Sequence, residues 1–183
     1  MSWIRAGEAT TAPPSGAGAA AFAGMQSLLE ALGLDASGTH SMVDHGRALV
    51  EDPAPLSAAQ VEMIGVVVSA TNGCGYCVAH YGPRLAQALG DEGLARTIAR
   101  DYREANLAAR DRVILDYAVA LTCEPAERKE EDVERIREYG FDDPAILRVT
   151  HLAAYFGMVN RLASGLGVAL EPNVHVWEFG DQR

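Results

Sequence analysis

Two cysteines three residues apart, Cys74 and Cys77, stand in the segment Ser69-Ala70-Thr71-Asn72-Gly73-Cys74-Gly75-Tyr76-Cys77-Val78-Ala79-His80-Tyr81. At that spacing one helical turn brings the two sulfurs together, and the chemistry it permits is thiol–disulfide exchange with its two electrons. Asn72-Gly73 breaks the helix before the pair, so Cys74 opens the next one. A helix N-terminus stabilises a thiolate through its free amides and its dipole, lowering the thiol pKa toward neutrality. On that ground alone Cys74 is the more acidic thiol. The same spacing fits half of a structural zinc site, but such a site wants four ligands. His80 could be a third; Cys123, His40, His45, His151 and His175 are isolated in the sequence, and no second pair has finger spacing. No metal is expected. A pair packed inertly in the core is the other bland alternative.

His80 follows Cys77 by three residues and shares its helix face, where an imidazole can pass a proton near neutral pH. Glu62 lies on the preceding helix among almost wholly apolar neighbours, Met63 to Val68. If the two helices fold back at Asn72-Gly73, a rise of about 1.5 Å per residue sets the depths. Glu62 then lies about 15 Å below the turn, Cys77 about 5 Å, and His80 or Tyr81 about 10 Å. The carboxylate is expected to reach His80 or Tyr81 and to orient the base, not to touch a thiol. Cys123 falls in the apolar stripe Leu115, Val119, Cys123 and is expected to be a buried structural thiol that stays reduced.

The elements that must hold these residues read as helices. Phe22–Leu32 has helical spacing and stops at Gly33; His40–Val50 is a weaker segment ended by the turn at 52–55. Ser57 is a fit N-cap for a helix to about Thr71, and Val66-Val67-Val68 reads as buried helix, not strand. Cys74 opens a helix that Gly90 ends. Further helices follow over Glu92–Tyr102, Leu107–Leu121 and Lys129–Tyr139, the last stopped by Gly140. Asp143-Pro144 starts the final long one, with Asp143 as its acidic cap. The expected fold is all-α: a loose arm over 1–20, one helical domain over 21–172, and a tail over 173–183. Trp177 and Phe179 in the tail pack either on the chain's own core or on a neighbouring subunit.

At 183 residues the chain can bury a core without disulfide or metal staples. Apolar residues make up 49% and charged residues 22%, and the formal net charge is −10. Nothing clusters Lys and Arg as a nucleic-acid surface requires, and an acidic chain is repelled by phosphate and anionic lipid. No apolar run reaches the length of a membrane span. Neither nucleic acid nor membrane is an expected partner, and a cytoplasmic location is expected. Lys129 is the only lysine, which leaves little room for Schiff-base chemistry.

From about Leu56 to Pro172 the chain resembles the AhpD-like alkylhydroperoxidase group of the carboxymuconolactone decarboxylase superfamily, and within it the uncharacterised peroxidase-related branch. The likeness rests on Glu62 twelve residues before the first cysteine, on the Asn-x-Cys-x-Tyr-Cys-Val core of 72–78, on Arg110-Asp111-Arg112, and on Asn160-Arg161-Leu162-Ala163-x-x-Leu166-Gly167. The resemblance implies an AhpD-like helical fold, homo-oligomers (trimers or hexamers), and hydroperoxide reduction with no metal or flavin cofactor. It implies a small dithiol or lipoyl-type protein as electron donor. It also implies that Cys77 attacks peroxide, that Cys74 resolves the product and donates a proton, and that Glu62 belongs to the relay. The chain departs at one position. The group's relay histidine stands four residues after the second cysteine, where this chain has Tyr81, and His80 points about 100° away from that position. Two other functions compete. A decarboxylase-type member acting on a lactone needs no cysteine pair, and a non-catalytic redox sensor or binding protein would use the disulfide only to change shape.

Overall fold

The computed structural model describes Phe22 and residues 24–183, so the expected arm over 1–20 lies outside the described residues. Ser57 starts the helix on which the rest is built. Its hydroxyl accepts from the Gln60 amide at 3.2 Å, and the Gln60 side chain accepts from the Ser57 amide at 2.9 Å. This reciprocal cap satisfies two donors that a helix start otherwise leaves open. Helix α3 (Ala58–Thr71) follows, and every residue from Val61 to Thr71 is buried. A helix apolar all round belongs at the centre of a domain. Val66–Val68 is therefore buried helix, as the caps and length require.

Asn72 ends α3, and Gly73 turns the chain at a φ of 69°. A side chain there would be strained by about 1–2 kcal/mol, so the glycine is what permits so short a turn. Helix α4 (Gly75–Leu89) runs back along α3 and ends at Gly90. Around this hairpin lie α1 (Gln26–Leu32), α2 (Ala36–Val50), α5 (Glu92–Asp101), α6 (Ala109–Cys123), α7 (Glu130–Glu138) and α8 (Asp143–Gly165). Two 3-10 turns interrupt them, at Tyr102–Glu104 and Pro125–Glu127. All regular structure among the described residues is helical, as the all-α expectation requires. No described helix is long and apolar enough to cross a membrane.

Three local expectations are corrected. The first helix begins at Gln26, with Phe22 and Met25 buried ahead of it. The cap of α8 is Asp142, which accepts from the Ala145 amide at 3.0 Å, one residue before the expected Asp143. Cys123 is exposed, not buried. Leu115 and Val119 sit in the core, but α6 outruns it by one turn, and Cys123 is its last residue. Burial therefore gives no protection to that thiol.

The tail packs on the chain's own helices. Trp177 is buried against α4 with the Arg96 guanidinium 4.5 Å from its ring centroid. Gln182 is fully buried; its amide donates to the carbonyls of Ile98 and Ala99 and accepts from the Tyr102 amide. The indole fits because Gly82 has no side chain: a Cβ there would stand 2.4 Å from Trp177. Gly82→Ala should gain about 1 kcal/mol of helix propensity and lose more by overpacking, about 1–3 kcal/mol. The expected result is a lower urea midpoint and a red-shifted Trp177 emission in a Trp3→Phe background. Unchanged emission would mean that the indole is not seated on Gly82.

Candidate active site

Cys74 is the N-cap of α4, and its sulfur accepts the Cys77 backbone amide at 3.4 Å. Cys74 is 2% exposed and Cys77 not at all. Both are free thiols. Donation from Cys77 brings the Cys74 pKa down to about 7, against the opposing effect of burial, with help from the Cys77 amide and the Ser164 side chain. Burial pushes the Cys77 thiol well up, and its position as donor to Cys74 adds to that, while the Asn160 side chain opposes both. The first proton lost by the pair is therefore that of Cys74, as the helix-terminus reasoning requires.

His80 does not face a relay carboxylate on α3. Its Nδ1 lies 2.8 Å from the Tyr76 carbonyl, and its Nε2 lies 3.1 Å from the Gly24 carbonyl and 3.0 Å from Glu171 Oε2. Both ring nitrogens thus face oxygen atoms. The Nε2 contact with the Gly24 carbonyl has hydrogen-bond geometry, whereas Glu171 Oε2 lies close without a hydrogen bond of its own. The other oxygen, Oε1, accepts from the Tyr76 hydroxyl and the Ser27 amide, each at 2.9 Å. Burial alone would raise the Glu171 carboxyl, but these donors and His80 outweigh it and hold it below the ordinary range. Burial and the Glu171 carboxylate together push the Tyr76 phenol far up, so it remains a donor.

Glu62 pairs with Arg84. The guanidinium donates twice to Oε1, from Nε at 3.0 Å and from Nη2 at 2.7 Å. Burial raises the Glu62 carboxyl and Arg84 opposes it, with the rise prevailing. Oε2 is buried without a hydrogen-bond partner among the described residues. Tyr81 is buried edge-on to Phe156, with ring centroids 5.0 Å apart, and the Arg84 guanidinium lies 5.7 Å from its own centroid. Its phenol is pushed up by burial first, then by the charges of Cys77 and Tyr155, while Arg84 opposes the rise. Tyr81 thus shares an environment with Cys77, Arg84 and Glu62, whereas His80 belongs to a separate cluster with Tyr76 and Glu171. The expectation that Glu62 orients His80 is corrected: Arg84 is the cation Glu62 holds.

The sequence reading missed Arg84, Glu171, Asn160 as a thiol partner, and Ser164. The depth arithmetic could have found Arg84, which lies ten residues past Cys74 and so about 15 Å down, level with Glu62. Glu171 is a lone carboxylate in the run Val168-Ala169-Leu170-Glu171-Pro172. Replacing His80 with Ala should leave the thiolate titration within about twofold of wild type, since the ring serves Glu171 and Tyr76, yet cost about 1–3 kcal/mol through the acceptors it strands. A shifted titration measured by absorbance at 240 nm would return His80 to the thiol relay.

Among the described residues no group of three or more His, Cys, Asp or Glu is placed to hold a metal. Fold and site define a class: an all-helical protein with a buried dithiol across the first turn of a core helix. The chain belongs to the carboxymuconolactone decarboxylase superfamily, in its AhpD-like group. The carboxymuconolactone decarboxylase family profile matches residues 39–99. An uncharacterised peroxidase-related protein from Silicibacter sp. TM1040 is 34% identical, over 80% of this chain and 76% of that one, with a TM-score of 0.76. An alkylhydroperoxidase AhpD core protein from Ralstonia eutropha JMP134, also peroxidase-related and uncharacterised, is 26% identical over 93% of both chains, with a TM-score of 0.82. The debrominase Bmp8 shares the fold at 15% identity, over 89% of this chain and 92% of its own, with a TM-score of 0.71. No match is found among curated proteins.

Proposed function

We propose that this protein is a thiol peroxidase that reduces hydroperoxides through a Cys74/Cys77 dithiol–disulfide cycle. The observation that carries the reading is the buried pair of free thiols itself, with Cys74 capping the helix, its sulfur accepting the Cys77 amide, and its pKa brought down to about 7. In the resting pair Cys74 is the thiolate and Cys77 its S–H donor. That proton passes to Cys74, and the Cys77 sulfur attacks the nearer peroxide oxygen. The O–O bond breaks, the departing alkoxide takes the proton back from Cys74, and Cys77 becomes a sulfenic acid. Cys74, again a thiolate, attacks the Cys77 sulfur. The S–O bond breaks, and hydroxide leaves and takes a proton from solvent to give water. One peroxide is reduced to alcohol and water, and two thiols are oxidised to one disulfide.

This order keeps the roles the resemblance implies and uses the acidity of Cys74 as the base that Cys77 needs. Burial of both sulfurs favours a small substrate. Tyr81 and Glu62, on the Cys77 side, complete the candidate relay; His80 supports the Tyr76 turn. A small dithiol or lipoyl-type protein returns the electrons, and the active form is a cytoplasmic trimer or hexamer. The test is consumption of hydrogen peroxide and of tert-butyl hydroperoxide with dihydrolipoamide as reductant, with mass spectrometry of the thiols after one equivalent of peroxide. Turnover and a loss of two hydrogens across Cys74–Cys77 are expected. A pair that stays reduced while peroxide is in excess would overturn the reading.

A further inference from the structure

Helix α8 has a second apolar face, and it looks outward. Val149, Leu152 and Phe156 pack in the core, while Asp143, Leu147, His151, Ala154, Met158 and Arg161 are all exposed. At about 100° per residue the exposed set falls within one stripe about 80° wide. Its members recur every three or four residues, the spacing of a seam between two packed helices. Leu147 is 55% exposed and Met158 39%. The other exposed large apolar side chains among the described residues, Leu34, Tyr139 and Val176, stand singly on other segments. Scattered apolar residues are ordinary on a surface, whereas a contiguous set marks a contact.

The stripe is complementary to its own reverse, and this selects its occupant. Laid antiparallel on a second copy, about a two-fold axis between Leu152 and Ala153, each residue meets a suitable opposite. His151 faces Ala154 nearest the axis, Leu147 faces Met158 further out, and Asp143 faces Arg161 at each end, all within one residue of register, about 1.5 Å. Large thus meets small, apolar meets apolar, and anion meets cation. The charge balance matters because the chain carries a net −10, so two copies repel over most of their surface. Here one anion and one cation of each copy oppose the reverse pair of the other. Arg161 Nη1 donates to the Gly157 carbonyl at 2.8 Å, which holds the guanidinium along the helix beside the stripe. We propose that this face of α8 is an isologous contact with a second copy of the chain, packed antiparallel, with Leu147 of one protomer against Met158 of the partner subunit. The contact does not depend on the dithiol reading. Of the assemblies named above, a hexamer of two trimers set face to face contains such two-fold contacts, and a lone trimer does not.

Sedimentation velocity at micromolar concentration gives the first test. Leu147→Glu and Met158→Glu each set a carboxylate against an apolar side chain of the partner subunit. Each is expected to halve the mass of the wild-type assembly while leaving the urea midpoint unchanged, since both positions are exposed in the single chain. Cross-linking in a Cys123→Ser background then reads the register. Leu147→Cys co-expressed with Met158→Cys should give a disulfide-linked dimer with diamide. Either variant alone should not, because its two new thiols stand about 16 Å apart along the helix axis, beyond the reach of a disulfide. A monomeric wild type, or an unchanged mass in both glutamate variants, would overturn the proposal. So would a co-expressed pair that cross-links no faster than either variant alone, and this arm decides the matter if a glutamate variant does not fold. No peroxide enters these measurements, so the peroxidase reading can fail while the contact stands, and the reverse.

Discussion

Cys77→Ser is expected to consume no hydroperoxide above the uncatalysed background, whereas Cys74→Ser should oxidise once and stop as a Cys77 sulfenic acid. The asymmetry follows from the cycle. Without Cys77 there is no attacking sulfur beside the thiolate of Cys74. Without Cys74 there is an attacker but no resolving thiol, and the first oxidation also slows because Cys77 has lost its base. Cys74→Ser should fold normally, since serine is a preferred N-cap and can accept the same Cys77 amide. Dimedone trapping with mass spectrometry reads the sulfenic acid. Turnover by Cys77→Ser, with Cys74→Ser dead and untrapped, would reverse the two roles.

The pH dependence carries a definite sign. A Cys74 pKa of about 7 lies below the ordinary thiol value, so its thiolate accumulates as pH rises through about 7. Single-turnover oxidation should rise through the same range. The folded protein binds this proton less tightly than the unfolded chain does. The stability it contributes is therefore present above the unfolded thiol value and is lost as pH falls from there through about 7. A rate that began to rise only near the ordinary thiol pKa would remove Cys74 as the base.

What could be read from the chain was what short-range chemistry dictates. Ser57 and Gln60, Asn72-Gly73, Cys74 as a cap and Gly90 as a stop are all decided within a few residues, and they fix the hairpin that carries the dithiol. The Val66–Val68 run was legible as helix because its caps outweigh the β preference of three valines. Contacts that join distant elements were not. Glu171 meets Tyr76 from 95 residues away, and nothing local to either residue announces the other. Cys123 shows a subtler limit. The periodicity of Leu115, Val119 and Cys123 is real, but periodicity assigns a face and not the depth at which the core ends. Glu62 was legible as buried from its apolar neighbours, yet the same depth rule, carried one turn further along α4, selects Arg84 over His80.

That ion pair carries the second large effect. Arg84→Leu is expected to lower stability by about 3–5 kcal/mol at neutral pH, the usual loss when one member of a buried pair leaves the other charged and alone. Glu62 is the more deeply buried member. Its side chain is 10% exposed against 24% for Arg84, so Glu62→Leu should cost less, because the charge it leaves behind is the better solvated of the two. Replacing both should recover much of the Arg84→Leu loss, since two apolar side chains suit the site better than one stranded carboxylate. Acid gives an independent check. Burial already raises the Glu62 carboxyl, and without Arg84 the principal opposing influence is gone. A raised carboxyl holds its proton more tightly in the folded chain than in the unfolded one. Stability is therefore greatest below the unfolded value and falls as pH rises through the folded one. The deficit of Arg84→Leu relative to wild type should thus shrink as pH is lowered from 7 toward 5, because Glu62 in the variant takes up a proton more readily than in wild type. Urea unfolding of the two single variants and the double variant at both pH values measures this directly. Equal costs for the two single variants, or a deficit that grew in acid, would show that the charge on Glu62 is not what Arg84 holds in place.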